Sequence, residues 1–304
     1  MHEGGKRAIV AAFLANLGIA IAKLAAFAIT GAASMLAESI HSLADTGNQG
    51  LLFLGGRRAR RAPTVAHPFG FGSERYFWAF VVALMLFSLG SLFALFEGID
   101  KLLHPHELES PAVALLVLAV AVVLEGFSLR TAVREATPSR GPGRSWWHFV
   151  RATKSPELPV VLLEDVGALT GLVFAIGGVL LATVTGNSRW DALGSIAIGG
   201  LLGVIAMVLA VEMKSLLIGE SATRADDDAI RAAMSDGHEV RRVIHLRTMH
   251  VGPDQILVAA KLEFSSATLP ELAAEIDAVE ARIRAAVPAV GAIYLEPDLY
   301  RSGP

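Results

Sequence analysis

Between residues 8 and 218 the chain carries apolar runs that approach or exceed the roughly 20 residues a helix needs to cross a bilayer. They include IVAAFLANLGIAIAKLAAFAIT, FWAFVVALMLFSLGSLFALF, AVALLVLAVAVVL and LGSIAIGGLLGVIAMVLAV. At 53% hydrophobic residues, 18% charged residues and a mean hydropathy of +0.53, the chain is too apolar for an ordinary soluble domain. The reading is a polytopic α-helical membrane protein. Only MHEGGKR precedes the first run and no small-residue cleavage pattern follows it, so no cleaved leader is expected. The chain has no cysteine, which excludes disulfides and thiolate metal sites. A net charge of -3 gives no reason to invoke nucleic acid.

Six transmembrane helices are predicted, at residues 7–30, 34–56, 74–103, 110–135, 156–184 and 190–217. Basic residues set their direction. Lys6 and Arg7 precede the first span, RRARR (57–61) follows the second, Arg130, Arg134, Arg140, Arg144, Arg151 and Lys154 lie between the fourth and fifth, and Lys214 ends the sixth. The alternate loops GAAS, LLHPHELES and TGNSRWD carry few Lys or Arg. The positive-inside rule then puts both termini in the cytoplasm; if the cell is bacterial, the membrane expected is the inner one. Within the long loop between the fourth and fifth spans, WWHFV is either an interfacial helix or part of a flexible linker.

After Gly219 the pattern changes. ATRADDDAIRAAMSD (222–236) reads as an amphipathic helix, VRRVIHLRTMHV and QILVAAKLEF as strands parted by the turn signal GPD, LPELAAEIDAVEARIRAAV as a helix and VGAIYLEP as a last strand. The organisation is therefore a six-helix transmembrane domain over 1–218 and a small cytoplasmic α+β domain (αββαβ, ferredoxin-like) over 219–304.

The second span breaks its own apolar pattern. In AESIHSLADTGNQG (37–50), Glu38, His41, Asp45 and Asn48 are spaced three or four apart and form one polar stripe on a helix. Ionisable groups at membrane depth are costly and usually face a bundle interior that serves a pathway or binding site. The plainer alternative is an interhelical hydrogen-bond network, although a neutral side chain would supply that without the ionisation penalty. The fifth span offers Glu164 and Asp165 in VVLLEDVGALTG. Counted from the basic ends Arg57 and Lys154, Asp45 and Asp165 lie about 18 Å and about 16 Å deep, which is similar depth. An imidazole with two or three carboxylates suits a divalent first-row ion, and zinc accepts four such ligands. Lys23 and Glu125 read as structural, either paired with each other or with Lys23 reaching toward the interface, and a proton relay is the other use of Glu125. Glu97, Asp100 and Lys101 fall at the wet end of the third span.

These residues resemble the cation diffusion facilitator family of zinc transporters, through six spans, the αββαβ tail and H-x-x-x-D at His41 and Asp45. More narrowly, ESIHSLADTGNQGLL, AHPFGFGSERY, LLHPHELES, VLLEDVGALTG and TGNSRWDALGS resemble the branch that contains the ninth mammalian zinc transporter. The resemblance implies export of a divalent cation, chiefly zinc, from the cytosol in exchange for protons, and a homodimer with its cytoplasmic domains in contact. It carries the transport site onto His41, Asp45 and Asp165. The chain departs from the family at Val161, which stands where a fifth-span ligand would be. Glu164 is the candidate fourth ligand. It lies about 100° around the helix from Asp165, so its use is expected to need a rotated or distorted turn. Asn48, Glu38 or water are the other options, and a second carboxylate in place of an imidazole shifts preference toward harder ions such as manganese. His67 reads as structural, and His238, His245 and His250 are not expected to gather a metal.

The expectation is a secondary transporter, not an enzyme, with no catalytic residues and no prosthetic group. Its substrate is zinc or another divalent cation, and its partners are protons, the lipid bilayer and a second copy of itself. Competing readings are a manganese- or iron-preferring exporter, a transport-inactive scaffold whose tail binds partners, and a passive channel. An intramembrane hydrolase is disfavoured because the spans lack H-E-x-x-H.

Overall fold

A computed structural model describes residues 10, 13–14, 16–22, 24–25, 28, 33–105, 111–141, 143–266 and 268–301; for 33–41 it gives the backbone course without side chains. The predicted first span and Lys23 thus lie largely outside the described residues, although those described between 10 and 28 are helical. By contacts the chain divides into two units: Met1–Arg57 with Arg75–Lys214, and Arg58–Glu74 with Ser215–Pro304.

The first unit is helical. Helix α1 covers Ala33–Arg58. Helix α2 (Glu74–Met85) passes through a π-helical turn at Leu86–Leu92 into α3 (Phe93–Leu103), forming one rod. Then come α4 (Pro111–Arg140), the short α5 (Trp146–Ala152), α6 (Glu157–Thr185) and α7 (Arg189–Ile218). Among the described residues, four stretches, Glu74–Leu103, Pro111–Arg140, Glu157–Thr185 and Arg189–Ile218, are long and apolar enough to cross a membrane. Their starts and ends fall close to the predicted spans, except that α4 runs on to Arg140. Pro138 sits in its last turn, where only one backbone bond is forfeited.

Helix α4 shows why these rods suit lipid. Ala121, Glu125, Ser128, Ala132 and Ala136, spaced four, three, four and four apart, are its buried face. Leu116, Val120, Val123 and Phe127 form the opposite stripe and are 43–70% exposed. An apolar outer face over small and polar inner residues is the reverse of a soluble helix and fits a hydrocarbon surround. Small residues draw the rods together. A Cβ on Gly199 of α7 would stand 2.8 Å from the Leu95 backbone nitrogen and 3.0 Å from the Ser91 carbonyl oxygen. The Ser91 hydroxyl donates to the Gly199 carbonyl at 2.8 Å.

Helix α5 forms over the WWHFV segment. The Ser145 hydroxyl accepts from the His148 backbone N–H at its start, and the Arg140 guanidinium lies 4.4 Å from the Trp146 ring centre.

The second unit follows the predicted order: α8 (Arg224–Ser235), β1 (Val240–Gly252), β2 (Gln255–Phe264), α9 (Leu269–Ala286) and β3 (Val290–Pro297). Thr223 caps α8, and Thr268 with Glu271 forms a capping box on α9. The sheet order is β1-β2-β3, with β1 antiparallel and β3 parallel to β2, so α9 is the crossover between parallel neighbours. Alternate β2 residues Ile256, Val258, Ala260 and Leu262 point into a core with Ile230, Met234, Val279 and Ile283. The 58–74 segment packs on this unit: Cβ atoms built on Gly72 and Gly252 would each fall within 2.8 Å of the other residue's Cα.

Candidate functional site in the helical unit

Helix α1 carries its polar residues into the interior. Ser42, Thr46, Asn48 and Gln49 are all buried, the last two at 2% and 1% exposure. Thr46 satisfies itself by donating to the Ser42 carbonyl at 2.9 Å. Asp45 lies between them on the same rod, partly buried. Glu38 and His41 belong to the helical backbone of α1, but their side chains lie outside the described residues.

On α6 the two adjacent acids face different neighbours. Asn48 Nδ2 donates to one Glu164 carboxylate oxygen at 3.2 Å and Gln49 Nε2 to the other at 2.7 Å. Asp165, 2% exposed, turns instead toward α4, where Ser128 Oγ lies 2.9 and 3.1 Å from its two oxygens and shares one proton between them. The sequence ties the use of Glu164 on the same ion as Asp165 to a rotated or distorted turn. Helix α6 is unbroken from Glu157 to Thr185, yet Glu164 and Asp165 line one cavity together. Because α1 lies on the Glu164 side and α4 on the Asp165 side, an undistorted offset of about 100° aims both at the space between them.

That cavity, of about 150 Å³, is lined by Asp45, Glu164 and Asp165, with Glu125 and Asn16 among its other polar groups. Its remaining lining is one-sided. On α6 it continues through Gly167, Ala168 and Gly171, all beyond the acids toward the Thr185 end, and on the α2–α3 rod it runs from Leu86 to Glu97, toward the Leu103 end. The π-helical turn supplies Leu86 and Gly90 to this wall, and such turns recur at functional sites. The other half is packed shut. Tyr76, Ala79, Val82, Val160, Val161 and Leu209 are fully buried there. Near this end Arg75 grips Glu157 with both arms of its guanidinium, Nη2 at 2.8 Å from Oε2, each side chain about 5% exposed or less. Val161 belongs to this packed half.

The other candidates fall as follows. Glu97 reaches the cavity wall and pairs with Lys101 at 3.0 Å, which also meets Asp191 at 3.5 Å. His67 stacks on Phe71, ring centres 4.6 Å apart. His245 accepts from Arg247 at 3.0 Å, and buried His250 sits beside the Gly252 carbonyl at 3.2 Å. Among the described residues, no three His, Asp or Glu side chains are gathered closely enough to hold one ion. Sequence reasoning gave no role to Gln49, Ser128 or the Arg75–Glu157 pair. Gln49 was visible as a second amide beside Asn48; nothing in the local sequence marked the other two.

Several carboxylates around one cavity inside helices that face hydrocarbon form an arrangement that attracts and desolvates cations. Rods of membrane-crossing length, an acid-lined interior and a mixed three-stranded sheet domain define a helical membrane protein with a small sheet domain. The cation efflux transmembrane domain matches residues 9–218, and the chain belongs to that family. It is 35% identical over 265 residues to the mitochondrial proton-coupled zinc antiporter SLC30A9 of Xenopus laevis, covering 87% of this chain and 47% of that protein. The human SLC30A9 is 33% identical over 243 residues, 80% of this chain and 43% of its own length. Metal tolerance protein C4 of Arabidopsis thaliana is 27% identical over 264 residues, 86% of this chain and 58% of that protein. The chain spans less than half the length of the SLC30A9 proteins it matches.

Proposed function

We propose that the chain is a secondary transporter that moves a divalent cation, zinc first, out of the cytoplasm in exchange for protons. The observation that carries this reading is the single cavity lined by Asp45 of α1 and by Glu164 and Asp165 of α6, two separate rods of the helical unit. The family match and the names of the relatives, zinc antiporters among them, support it.

In this reading the substrate ion is held by His41, Asp45, Asp165 and Glu164. Neutral imidazole and ionised carboxylates replace its water, and protons compete for the same groups because metal ligands must be deprotonated to bind. His41 is the proton carrier, since imidazole ordinarily titrates near physiological pH. A cavity confined to one side of the acids, with the other side packed, is one half of an alternating-access cycle; rocking of the rods supplies the other. The reading also comprises six spans, a domain boundary near residue 219, a ferredoxin-like tail that pairs two copies of the chain, and both termini in the cytoplasm.

The test is uptake of zinc, manganese, iron and cadmium into proteoliposomes driven by a proton gradient. Asp45→Ala is expected to abolish flux while the protein stays folded. Full activity of that variant removes the site assignment; flux that ignores the proton gradient makes the protein a channel. The runner-up, a manganese- or iron-preferring exporter, is favoured by the second α6 carboxylate and by Val161, which offers no donor.

A further inference from the structure

We infer that Gln49, with Asn48 beside it, is a positioning residue that fixes Glu164 as an oxygen ligand of the transported cation and so sets the metal preference of the site. This rests on the reading of Glu164 as part of the transport site.

Among the described residues, both amides donate to Glu164. Each donates to a different oxygen of the same carboxylate, at 3.2 and 2.7 Å. The carboxylate accepts and cannot donate when ionised, so it dictates which end of each amide faces it. The opposite ends, Asn48 Oδ1 and Gln49 Oε1, are buried without a hydrogen-bond partner among the described residues. A buried carbonyl oxygen left unsatisfied is destabilising, and an amide serving only to join helices would employ both of its ends. Two neighbouring residues accept that cost at once, each with its NH2 group on Glu164. Such a deviation in a packed interior calls for a functional account.

The geometry gives one. A glutamate has three side-chain torsions, and two donors on its two oxygens fix the plane of its carboxylate. They draw it toward α1, one turn from Asp45, while Ser128 holds Asp165 on the opposite flank. Glu164 is at the same time part of the cavity wall. Val161, one turn before Asp165, is fully buried and has no donor atom. Glu164 is then the second α6 ligand, and its oxygen in place of nitrogen favours harder ions.

Full-length protein in lipid nanodiscs, titrated with zinc and with manganese, tests this. Gln49→Met keeps the volume and removes the donor; it is expected to weaken manganese binding about tenfold and zinc binding less, as losing a hydrogen bond that orients a ligand carboxylate does. In a Glu164→Gln background the same substitution is expected to have no further effect. Asn48→Leu should give the same selectivity shift at smaller amplitude, and it carries the test should Gln49→Met fail to fold. Equal loss of both metals, or a Gln49→Met effect that persists without the Glu164 carboxylate, overturns the positioning role while leaving the transport site intact. If Glu164→Gln alone alters neither metal, Glu164 is no ligand, and both the inference and that part of the site fall.

Discussion

Asp165 shows how one residue's chemistry is set by a neighbour that local sequence does not reveal. Its two oxygens share the Ser128 hydroxyl, and the residue is 2% exposed. A hydroxyl that orients a ligand carboxylate is worth about tenfold in metal affinity. On the proposed assignment of Asp165 as a ligand of zinc, Ser128→Ala is expected to raise the zinc Kd of the purified protein about tenfold, with Ser128→Thr close to wild type, both read by competition with a fluorescent chelator. The acids were legible in the sequence because an ionisable group in an apolar run has few bland explanations. Ser128 was not. Hydroxyls in helices of this kind usually bond back to their own rod: Thr131 donates to the Phe127 carbonyl, Thr170 to Val166 and Ser195 to Asp191. Only the packing of α4 on α6 separates Ser128 from them.

At the level of elements, the rods are joined by close backbone approach on one pair of faces and by a buried ion pair on another. Gly199 and its neighbour Gly200 make the first case testable. An added methyl at Gly199 meets the backbone of Ser91 and Leu95, which cannot swing away, whereas at Gly200 nothing lies within 4 Å. Gly199→Ala is expected to lower the melting temperature in detergent and Gly200→Ala to leave it unchanged or slightly higher, since alanine is the better helix former. Arg75 and Glu157 are the second case. Removing one partner strands a buried charge, at a cost of about 3–5 kcal/mol, whereas replacing both with apolar residues of similar volume is often neutral. Arg75→Met should thus destabilise strongly by denaturant melt and Arg75→Met with Glu157→Met should recover most of the loss. A single variant as stable as the parent contradicts the bidentate contact. Helix boundaries were readable from the length of apolar runs. The π-helical turn at Leu86–Leu92 was not, because Leu, Phe, Ser and Gly there carry no signal distinct from an α-helix.

The whole molecule pairs a helical unit governed by lipid with a sheet unit governed by water, and they respond to different variables. In the second unit Asp298 is held below the usual carboxylate range, first by the Leu299 backbone N–H and then by Lys261. Glu239 is likewise held low, first by a backbone hydrogen bond and then by Arg282. A carboxyl whose folded pKa lies below its unfolded value adds stability that is fully present above the ordinary carboxylate range and disappears as pH falls through it. The second unit should consequently melt at lower temperature near about pH 4 than at neutral pH, and Asp298→Asn should flatten that dependence in a calorimetric scan. The helical unit is tested by access. The chain has no cysteine, so single cysteines are unambiguous reporters. Ser195→Cys, on the cavity wall, is expected to react with a membrane-impermeant thiol reagent from one side, while Val161→Cys, in the packed half, stays unlabelled. Labelling of both at equal rates contradicts the one-sided cavity.

The amino-acid sequence by itself determined which stretches become rods, where the sheet unit begins to read as αββαβ, and which acids fall inside apolar runs. Those properties depend on period, run length and the cost of charge in hydrocarbon, all local along the chain. Tertiary structure alone decided that Glu164 faces α1 while Asp165 faces α4, that the cavity lies on one side of both, and that Arg75 closes on Glu157 across 82 residues. A helix presents side chains in every direction, and which direction becomes an interior is fixed only when another rod packs against it.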